Sequence, residues 1–345
     1  MFLTEQKTKS TRVEELDALR GIAIIMVVLF HYFYRYGQLY SSDDMVDVAK
    51  YGHLGVELFF IISGFVIFYS LIHADSLKRF WVGRAARIIP AYWFSVVVIF
   101  TLTHIFGLPG REAGVGDMLV NLTLLQEYAG FKHVDGVYWS LTIEITFYFW
   151  VSIFLLRFPS AAKVMFIIYP IFLICFYVID PDMNSRFQKI FLVKYGALLF
   201  AGICYSNIHR EKFIRVSIFV LIMCMVVNSL SYNGVELAVV FTFHCIMLAV
   251  ALKRAQYLLI KPLMYFGGIS YSLYLIHQNI GYMILNGMEQ TGLSHWVVVA
   301  VIFPCMVIVA DLMVRFIERP CRKWMYGVLL KKSRADLSVS LVKKV

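Results

Sequence analysis

The strongest constraint on the fold is a series of apolar segments that recurs along the whole chain. We identify ten, at residues 18–34, 54–72, 88–106, 137–156, 164–179, 194–208, 216–232, 237–252, 263–285 and 296–317. Each is close to the roughly 20 residues that a membrane-spanning helix needs. With 60% hydrophobic and 16% charged residues, 345 residues could not cover so much apolar surface in water. The sequence therefore predicts an all-α, polytopic integral membrane helix bundle of about ten transmembrane helices.

Basic residues test this topology, because Lys and Arg accumulate in cytoplasmic loops. With the N-terminus inside, 23 of the 32 basic residues fall on inner segments and 7 on outer ones. This predicts that both termini are cytoplasmic, and it accounts for the net charge of +10 without nucleic acid as a partner. We expect a cytoplasmic N-terminal segment (1–17), a transmembrane domain (18–317) and a basic cytoplasmic tail (318–345), with no soluble domain at either end. The longest outer loop, 107–136, is long enough to form a lid or a re-entrant segment.

The first span carries two residues that a bilayer tolerates poorly, Arg20 and His31. The two residues are eleven positions apart. In an α-helix this spacing is about three turns and roughly 16 Å along the axis, so both side chains lie on one face. The pair fits a channel with a cation at its mouth and a titratable group inside. A histidine that only packs against a neighbouring helix and bonds a backbone carbonyl is the other interpretation, and the spacing leaves it open.

Further polar side chains lie in or at the edges of the second, fourth and ninth spans, where each needs a partner or a function. Those that we expect in a pocket are Glu57, Ser63, Trp139, Ser140, Glu144, Tyr148, Ser270, Tyr274 and His277. Ser140, Glu144 and Tyr148 repeat every four residues and form one stripe. The six cysteines are widely spaced without a CxxC pair, so neither a disulfide framework nor a metal site is expected.

A basic loop follows the second span. It contains Lys78, Arg79, Trp81, Arg84 and Arg87. Basic residues often accumulate in a loop only because the loop is cytoplasmic. These cations, with an aromatic ring among them, could also bind a polyphosphate and stack against a nucleotide base.

In combination, these segments resemble the membrane acyltransferase family 3, the multispan O-acyltransferases that modify bacterial surface and secreted glycans. The resemblance covers nearly the whole chain and rests on five motifs in order. They are the Arg20–ten residues–His31 pair, a Gly-Val-x-x-Phe-Phe-x-x-Ser-Gly-Phe run at 55–65, Arg-x-x-Arg-x-x-Pro at 84–90, Trp-Ser-Leu-x-x-Glu-x-x-Phe-Tyr at 139–148, and Ser-Tyr-x-x-Tyr-Leu-x-His at 270–277.

The resemblance implies transfer of an acyl group, usually acetyl from acetyl-CoA on the cytoplasmic side, to a hydroxyl of a glycan or lipid-linked saccharide. It implies a multi-pass protein of the bacterial inner membrane, with membrane lipid around it, acyl-CoA as co-substrate and no permanently bound cofactor. His31 is expected to be the base, Glu144 to orient groups or hold the acceptor, and Arg20 to stabilise charge on the donor. The basic loop is then the donor site, and the other pocket residues surround the acceptor.

Two other functions fit intramembrane His, Glu and Arg. A proton-coupled transporter of a small solute or glycolipid intermediate would also need them. A non-catalytic membrane sensor would tolerate replacement of His31. The sequence leaves open the acceptor sugar and its hydroxyl position, the acyl chain, the choice between direct transfer and an acyl-enzyme, and the oligomeric state.

Overall fold

The chain folds as a bundle of α-helices. The computed structural model describes residues 13–40, 45–74, 76–179, 185–289 and 291–342, and these residues contain no β-strand. The helices are α1 (Glu14–Phe30), α2 (Tyr36–Tyr40), α3 (Gly55–Ile72), α4 (Leu77–Phe106), α5 (Val115–Asn121), α6 (Gln126–Ala129), α7 (Trp139–Arg157), α8 (Pro159–Ile179), α9 (Ser185–Ile190), α10 (Gly196–His209), α11 (Ile214–Ser231), α12 (Gly234–Ala251), α13 (Lys261–Glu289), α14 (His295–Met313) and α15 (Arg319–Val342). π-helical turns at His31–Arg35 and Val314–Glu318 join α1 to α2 and α14 to α15.

Eight helical stretches within the described residues are long and apolar enough to cross a membrane. They are Glu14–Tyr40, Asp47–Ile72, Leu77–Phe106, Gly136–Arg157, Ala161–Ile179, Ile214–Ser231, Gly234–Ala251 and His295–Leu330. They correspond to eight of the ten predicted spans. The span predicted at 194–208 is α10, which has only 14 residues and is buried along nearly its whole length. The span predicted at 263–285 is α13, which has 29 residues but carries too many polar side chains to qualify. The count of ten and the cytoplasmic termini stay predictions.

Glycines bring two pairs of helices into close contact. A Cβ atom on Gly21 of α1 would lie 2.1 Å from the Leu263 carbonyl oxygen, and one on Gly267 of α13 would lie 1.8 Å from that of Asp17. A Cβ on Gly64 of α3 would likewise lie 1.9 Å from the backbone oxygen of Leu199 on α10. Small residues permit such contact between helix backbones in a membrane. The α1–α13 and α3–α10 pairs therefore form the centre of the bundle.

The predicted outer loop 107–136 folds against the bundle. It contains α5 and α6 and buries the side chains of Asn121 and Gln126. Two aromatic side chains of α4 hold it: the Tyr92 hydroxyl donates to the Asn121 carbonyl at 2.9 Å, and the Trp93 indole donates to the Leu122 carbonyl at 2.8 Å. The loop thus covers part of one end of the bundle, as a lid would.

The helices extend beyond two of the predicted boundaries, which stay predictions. α1 begins at Glu14, before the predicted start of the first span at 18, because its polar first turn is already helical. The helix of the tenth predicted span continues through the π-helical turn into α15, which packs against α4. Residues 1–12 of the predicted N-terminal segment and 343–345 of the tail lie outside the described residues.

Candidate functional site

Three cavities follow one another through the bundle. The cavity at the predicted cytoplasmic end, here the inner cavity, has a volume of about 380 Å³. The middle cavity has about 90 Å³ and the outer cavity about 480 Å³. Arg20 and Arg87 line both the inner and the middle cavity, whereas Val56 and Tyr274 line both the middle and the outer one. The shared walls make the three cavities neighbours along one path.

Glu144 of α7 lies in the wall of the middle cavity. Its Oε1 accepts a hydrogen bond from the Ser63 hydroxyl at 2.8 Å and another from the Tyr148 hydroxyl at 2.5 Å. Both bonds use the same oxygen, Oε1. The predicted stripe on α7 and the serine of the 55–65 motif therefore meet on one carboxylate.

Further hydroxyl groups of the middle cavity come from α13 and the start of α7. The Ser140 and Tyr274 hydroxyls are 2.7 Å apart, and each also lies within hydrogen-bonding distance of the Val137 carbonyl. The Ser270 hydroxyl donates to the Gly267 carbonyl at 2.9 Å. The two segments matched by the fourth and fifth sequence motifs thus form opposite walls of one small cavity.

Arginines dominate the inner side of the middle cavity. Arg20 forms an ion pair with Asp17, one turn earlier on α1, at 2.9 Å. Arg84 and Arg87 project from α4 into the same cavity as Glu144, and Arg84 donates to the Ser70 hydroxyl at 3.2 Å. The sequence did not single out Asp17, because a carboxylate before an apolar run also fits an ordinary helix start.

The predicted donor loop is not a loop. All five of its residues lie in the first three turns of α4, which begins at Leu77. Arg84 and Arg87 line the cavities, but Lys78 and Arg79 are exposed and line none of the three. Trp81 packs edge-on against the Tyr148 ring at 6.4 Å. The helix separates the five residues onto different faces, which a loop would not have done.

The inner cavity is instead lined by arginine side chains from the C-terminal part of the chain. Arg319 and Arg322 line it together with Arg20 and Arg87, and the acidic residues beside them are Asp17 and Glu318. The sequence interpretation assigned the two additional arginines to the tail, where a basic cluster is expected from topology alone.

His31 lies at the outer cavity, on the π-helical turn that follows α1. Its Nδ1 is 2.8 Å from the Val27 carbonyl oxygen, which can only accept, so this nitrogen carries the proton. The His277 Nδ1 likewise donates to the Tyr274 carbonyl at 2.9 Å, so its Nε2 is an acceptor, 3.1 Å from the His31 Nδ1. No hydrogen bond from the described residues reaches the His31 Nε2. The backbone bond of the packing interpretation is present, but it uses only one nitrogen.

Arg20 and His31 do not line the same cavity. Arg20 borders the inner and middle cavities, and His31 borders the outer one. Both side chains point into the bundle, as their shared face predicts, and the Val56–Tyr274 wall lies between the middle and outer cavities.

The outer cavity contains two further predicted pocket residues, Glu57 and Trp139, whereas His277 lines none of the three cavities. Trp139 lines it beside Tyr195, with ring centroids 5.2 Å apart, and Glu57 is buried in its wall. Sequence reasoning missed Arg111 and Gln278, which also line it. No motif could have indicated Arg111, because it lies in a loop far along the chain from His31.

Arg111 and the end of the lid meet α13 at a buried carboxylate. Asp135 accepts a hydrogen bond from the Asn279 backbone N–H at 3.1 Å, and Arg111 donates to the Asn279 side-chain oxygen at 3.1 Å. Burial raises the pKa of Asp135 to about 6, although Arg111 acts in the opposite direction. No group of three metal-ligating side chains is present in the part of the chain that the structure describes.

Comparison with known proteins gives a consistent result. A family model described as an acyltransferase domain matches residues 13–315. The peptidoglycan O-acetyltransferase OatA of Listeria monocytogenes is 24% identical over 90% of this chain and 56% of its own length. The O-acetyltransferase OatA of Staphylococcus aureus is 28% identical over 89% of this chain and 57% of its own. The acyltransferase MdmB of Streptomyces mycarofaciens is 33% identical over 40% of this chain. The chain thus spans little more than half the length of the two OatA proteins. No solved structure matches it.

Proposed function

The chain belongs to the acyltransferase-domain family, and we propose that it is a membrane-embedded O-acyltransferase. It moves an acyl group, acetyl from acetyl-CoA on the cytoplasmic side, to a hydroxyl of a cell-surface or secreted glycan or glycolipid. The names of the OatA relatives support a glycan acceptor. The observation that carries the proposal is the line of three cavities, which connects an arginine-rich end to the unpaired nitrogen of His31.

The donor enters at the inner cavity. Coenzyme A is a polyanion, and guanidinium groups bind phosphate oxygens through paired, charge-assisted hydrogen bonds. Arg87 and the two arginines of α15 provide such groups around the inner cavity, and Arg20 connects it to the middle one. Acyl-CoA is therefore a co-substrate held by arginines at the cytoplasmic mouth, and no permanently bound cofactor takes part.

The acyl group crosses the middle cavity. This cavity has about 90 Å³, less than a quarter of the volume of either neighbour. Such a narrow cavity favours a small acyl group, which supports acetyl. The Glu144 carboxylate, fixed by Ser63 and Tyr148, orients groups there.

His31 acts from the outer side as the general base. Its Nε2 takes the proton of the acceptor hydroxyl as the hydroxyl oxygen attacks the thioester carbonyl carbon. The tetrahedral intermediate then collapses, the carbon–sulfur bond breaks, and the proton passes from His31 to the CoA sulfur. His277 is a positioning residue: it accepts from the His31 Nδ1–H and so keeps Nε2 unprotonated before the reaction.

The test replaces His31 by Gln and by Ala in purified protein reconstituted into lipid. General-base catalysis is typically worth about 10²–10⁴ in rate, so both variants should lose acylation by that factor while still binding acyl-CoA. His104→Gln is the matched control. Its Nδ1 also donates to the carbonyl four residues earlier at 2.8 Å, but it is exposed and lines none of the three cavities.

Release of CoA and the mass of the acceptor are the measurements. A well-inserted His31→Gln protein that acylates at nearly the normal rate would contradict the mechanism. Movement of a solute across the membrane without any CoA release would favour a proton-coupled transporter instead.

A further inference from the structure

Two buried oxygen atoms in the outer cavity lack a hydrogen-bond donor among the described residues. They are Oε2 of Glu57 and Oε1 of Gln278, in side chains that are only 5% and 4% exposed. A buried polar atom without a partner is costly, so such atoms indicate a ligand or water that completes them. Both atoms are acceptors, and the ligand must therefore present donors. Sugar hydroxyl groups are donors of this kind.

Two guanidinium groups line the same cavity. Arg111 is held by its hydrogen bond to Asn279 and by the face of the Tyr282 ring, 5.1 Å away. Arg35 follows His31 by four residues on the π-helical turn and donates to the Gln38 side chain. Within the described part of the chain, neither arginine forms an ion pair with a carboxylate closer than 4.0 Å.

Two acidic side chains, Glu57 and Glu236, also line the outer cavity. Glu236 lies 3.6 Å from the His53 ring nitrogen at the cavity wall. Glu57 is the buried carboxylate described above, and Lys194 is the cation among the lining residues that acts on it electrostatically. Together with Lys194, the two arginines are therefore the positive groups that an incoming anion would meet in this cavity.

We propose that the outer cavity binds a saccharide that carries an anionic group. Its hydroxyls donate to Glu57 and Gln278, and its carboxylate or phosphate accepts from Arg35 and Arg111. Trp139 and Tyr195 provide a flat wall beside it. This placement brings a hydroxyl toward the His31 Nε2, and it rests on the proposed function only in taking the saccharide to be the acyl acceptor.

The test compares three soluble disaccharides that differ at one substituent: a carboxylate, its primary amide and a phosphate monoester. Binding to the full chain in lipid nanodiscs is measured by calorimetry without acetyl-CoA, and acylation is measured with it. Because hydrogen bonds to charged groups are the strong ones, we expect the carboxylate to bind at least about tenfold more tightly than the amide.

Substitutions assign the contacts. Arg111→Gln and Arg35→Gln should each lower the affinity for the carboxylate much more than the affinity for the amide, and so remove most of the preference for the anion. Arg111→Lys should retain part of the preference, since charge remains but the planar fork is lost. Glu57→Gln should weaken all three disaccharides alike. Lys132→Gln is the control, because Lys132 is an exposed cation of the same outer loop that does not line the cavity.

The outcomes separate the two proposals. Tighter binding of the phosphate monoester than of the carboxylate would support the anion site and assign it to a phosphate, as on a lipid-linked saccharide. Equal binding of carboxylate and amide, or an unchanged preference in both arginine variants, would overturn the anion site, even with acylation intact. Failure of His31→Gln to slow acylation would instead contradict the proposed mechanism and leave the binding results standing.

Discussion

Replacing Gly267 by Ala should separate α1 from α13 and disable the enzyme. The new Cβ would lie 1.8 Å from the Asp17 carbonyl oxygen, whereas real Cβ atoms essentially never approach closer than 3.0 Å, so the helices must move apart by more than 1 Å. The contact is with the backbone of Asp17, which cannot rotate away as a flexible side chain could. Overpacking of this kind typically costs about 1–3 kcal/mol.

The displacement also acts on the site. The His31–His277 hydrogen bond crosses the same helix pair at 3.1 Å, so a rigid shift of this size would lengthen it beyond hydrogen-bonding distance. A misplacement of about 1 Å can cost roughly 10²-fold in rate. We therefore expect lower stability and a loss of acylation together.

Gly268→Ala is the matched control, one residue along the same helix. Nothing lies within 4 Å of its added Cβ, and an alanine in a helix is favoured over glycine by about 0.5–1 kcal/mol. Heating both variants in detergent, followed by size-exclusion chromatography and an acylation assay, compares them directly. Equal melting and equal activity of the two variants would refute the packing argument.

Three further predictions concern single side chains. Tyr148→Phe removes one donor to Glu144 and should slow acylation by about tenfold or more, since a hydrogen bond to a charged group is worth about 1.5–3 kcal/mol; unchanged kinetics at equal protein level would contradict it. Asp17→Asn leaves Arg20 buried without its ion pair and should destabilise the bundle by roughly 3–5 kcal/mol in chemical unfolding, whereas an unaltered unfolding curve would mean that the pair contributes nothing. Burial raises the pKa of Glu127, but hydrogen bonds from the Lys189 and His133 side chains outweigh it, so the net shift is below the usual 4.5. The melting advantage of the wild type over Glu127→Gln should be full above pH 4.5 and disappear as the pH falls through the lowered pKa; a pH-independent advantage would refute it.

The sequence predicted the bundle and much of the middle cavity because both depend on patterns that repeat along the sequence. The i, i+4 spacing put Glu144 and Tyr148 on one face, and the structure joins them by a hydrogen bond. The two predicted spans that do not meet the length and hydropathy of a membrane-crossing helix are those whose residues are buried in the bundle. α10 is shorter than a bilayer crossing, and α13 is long but carries polar residues on its buried face.

The parts of the site that the sequence missed depend on long-range contacts. Arg111, on the outer loop, meets Asn279 of α13, 168 residues away, and no local pattern encodes this distance. Arg319 was attributed to topology because its helix was predicted to end before it. Lys78 was included in the predicted donor site because it is close in sequence to Arg84 and Arg87. The helix places these residues on different faces, and Lys78 does not line the middle or the inner cavity.

The narrow middle cavity has a consequence for the membrane itself. A continuous water column through such a bundle would conduct protons and collapse any gradient the bilayer maintains. Val56 and Tyr274 border both the middle and the outer cavity, where such a column would have to pass. If the middle cavity admits only a small acyl group, as proposed, it also leaves little room for continuous water, and we expect that widening it for longer chains would make the membrane leak.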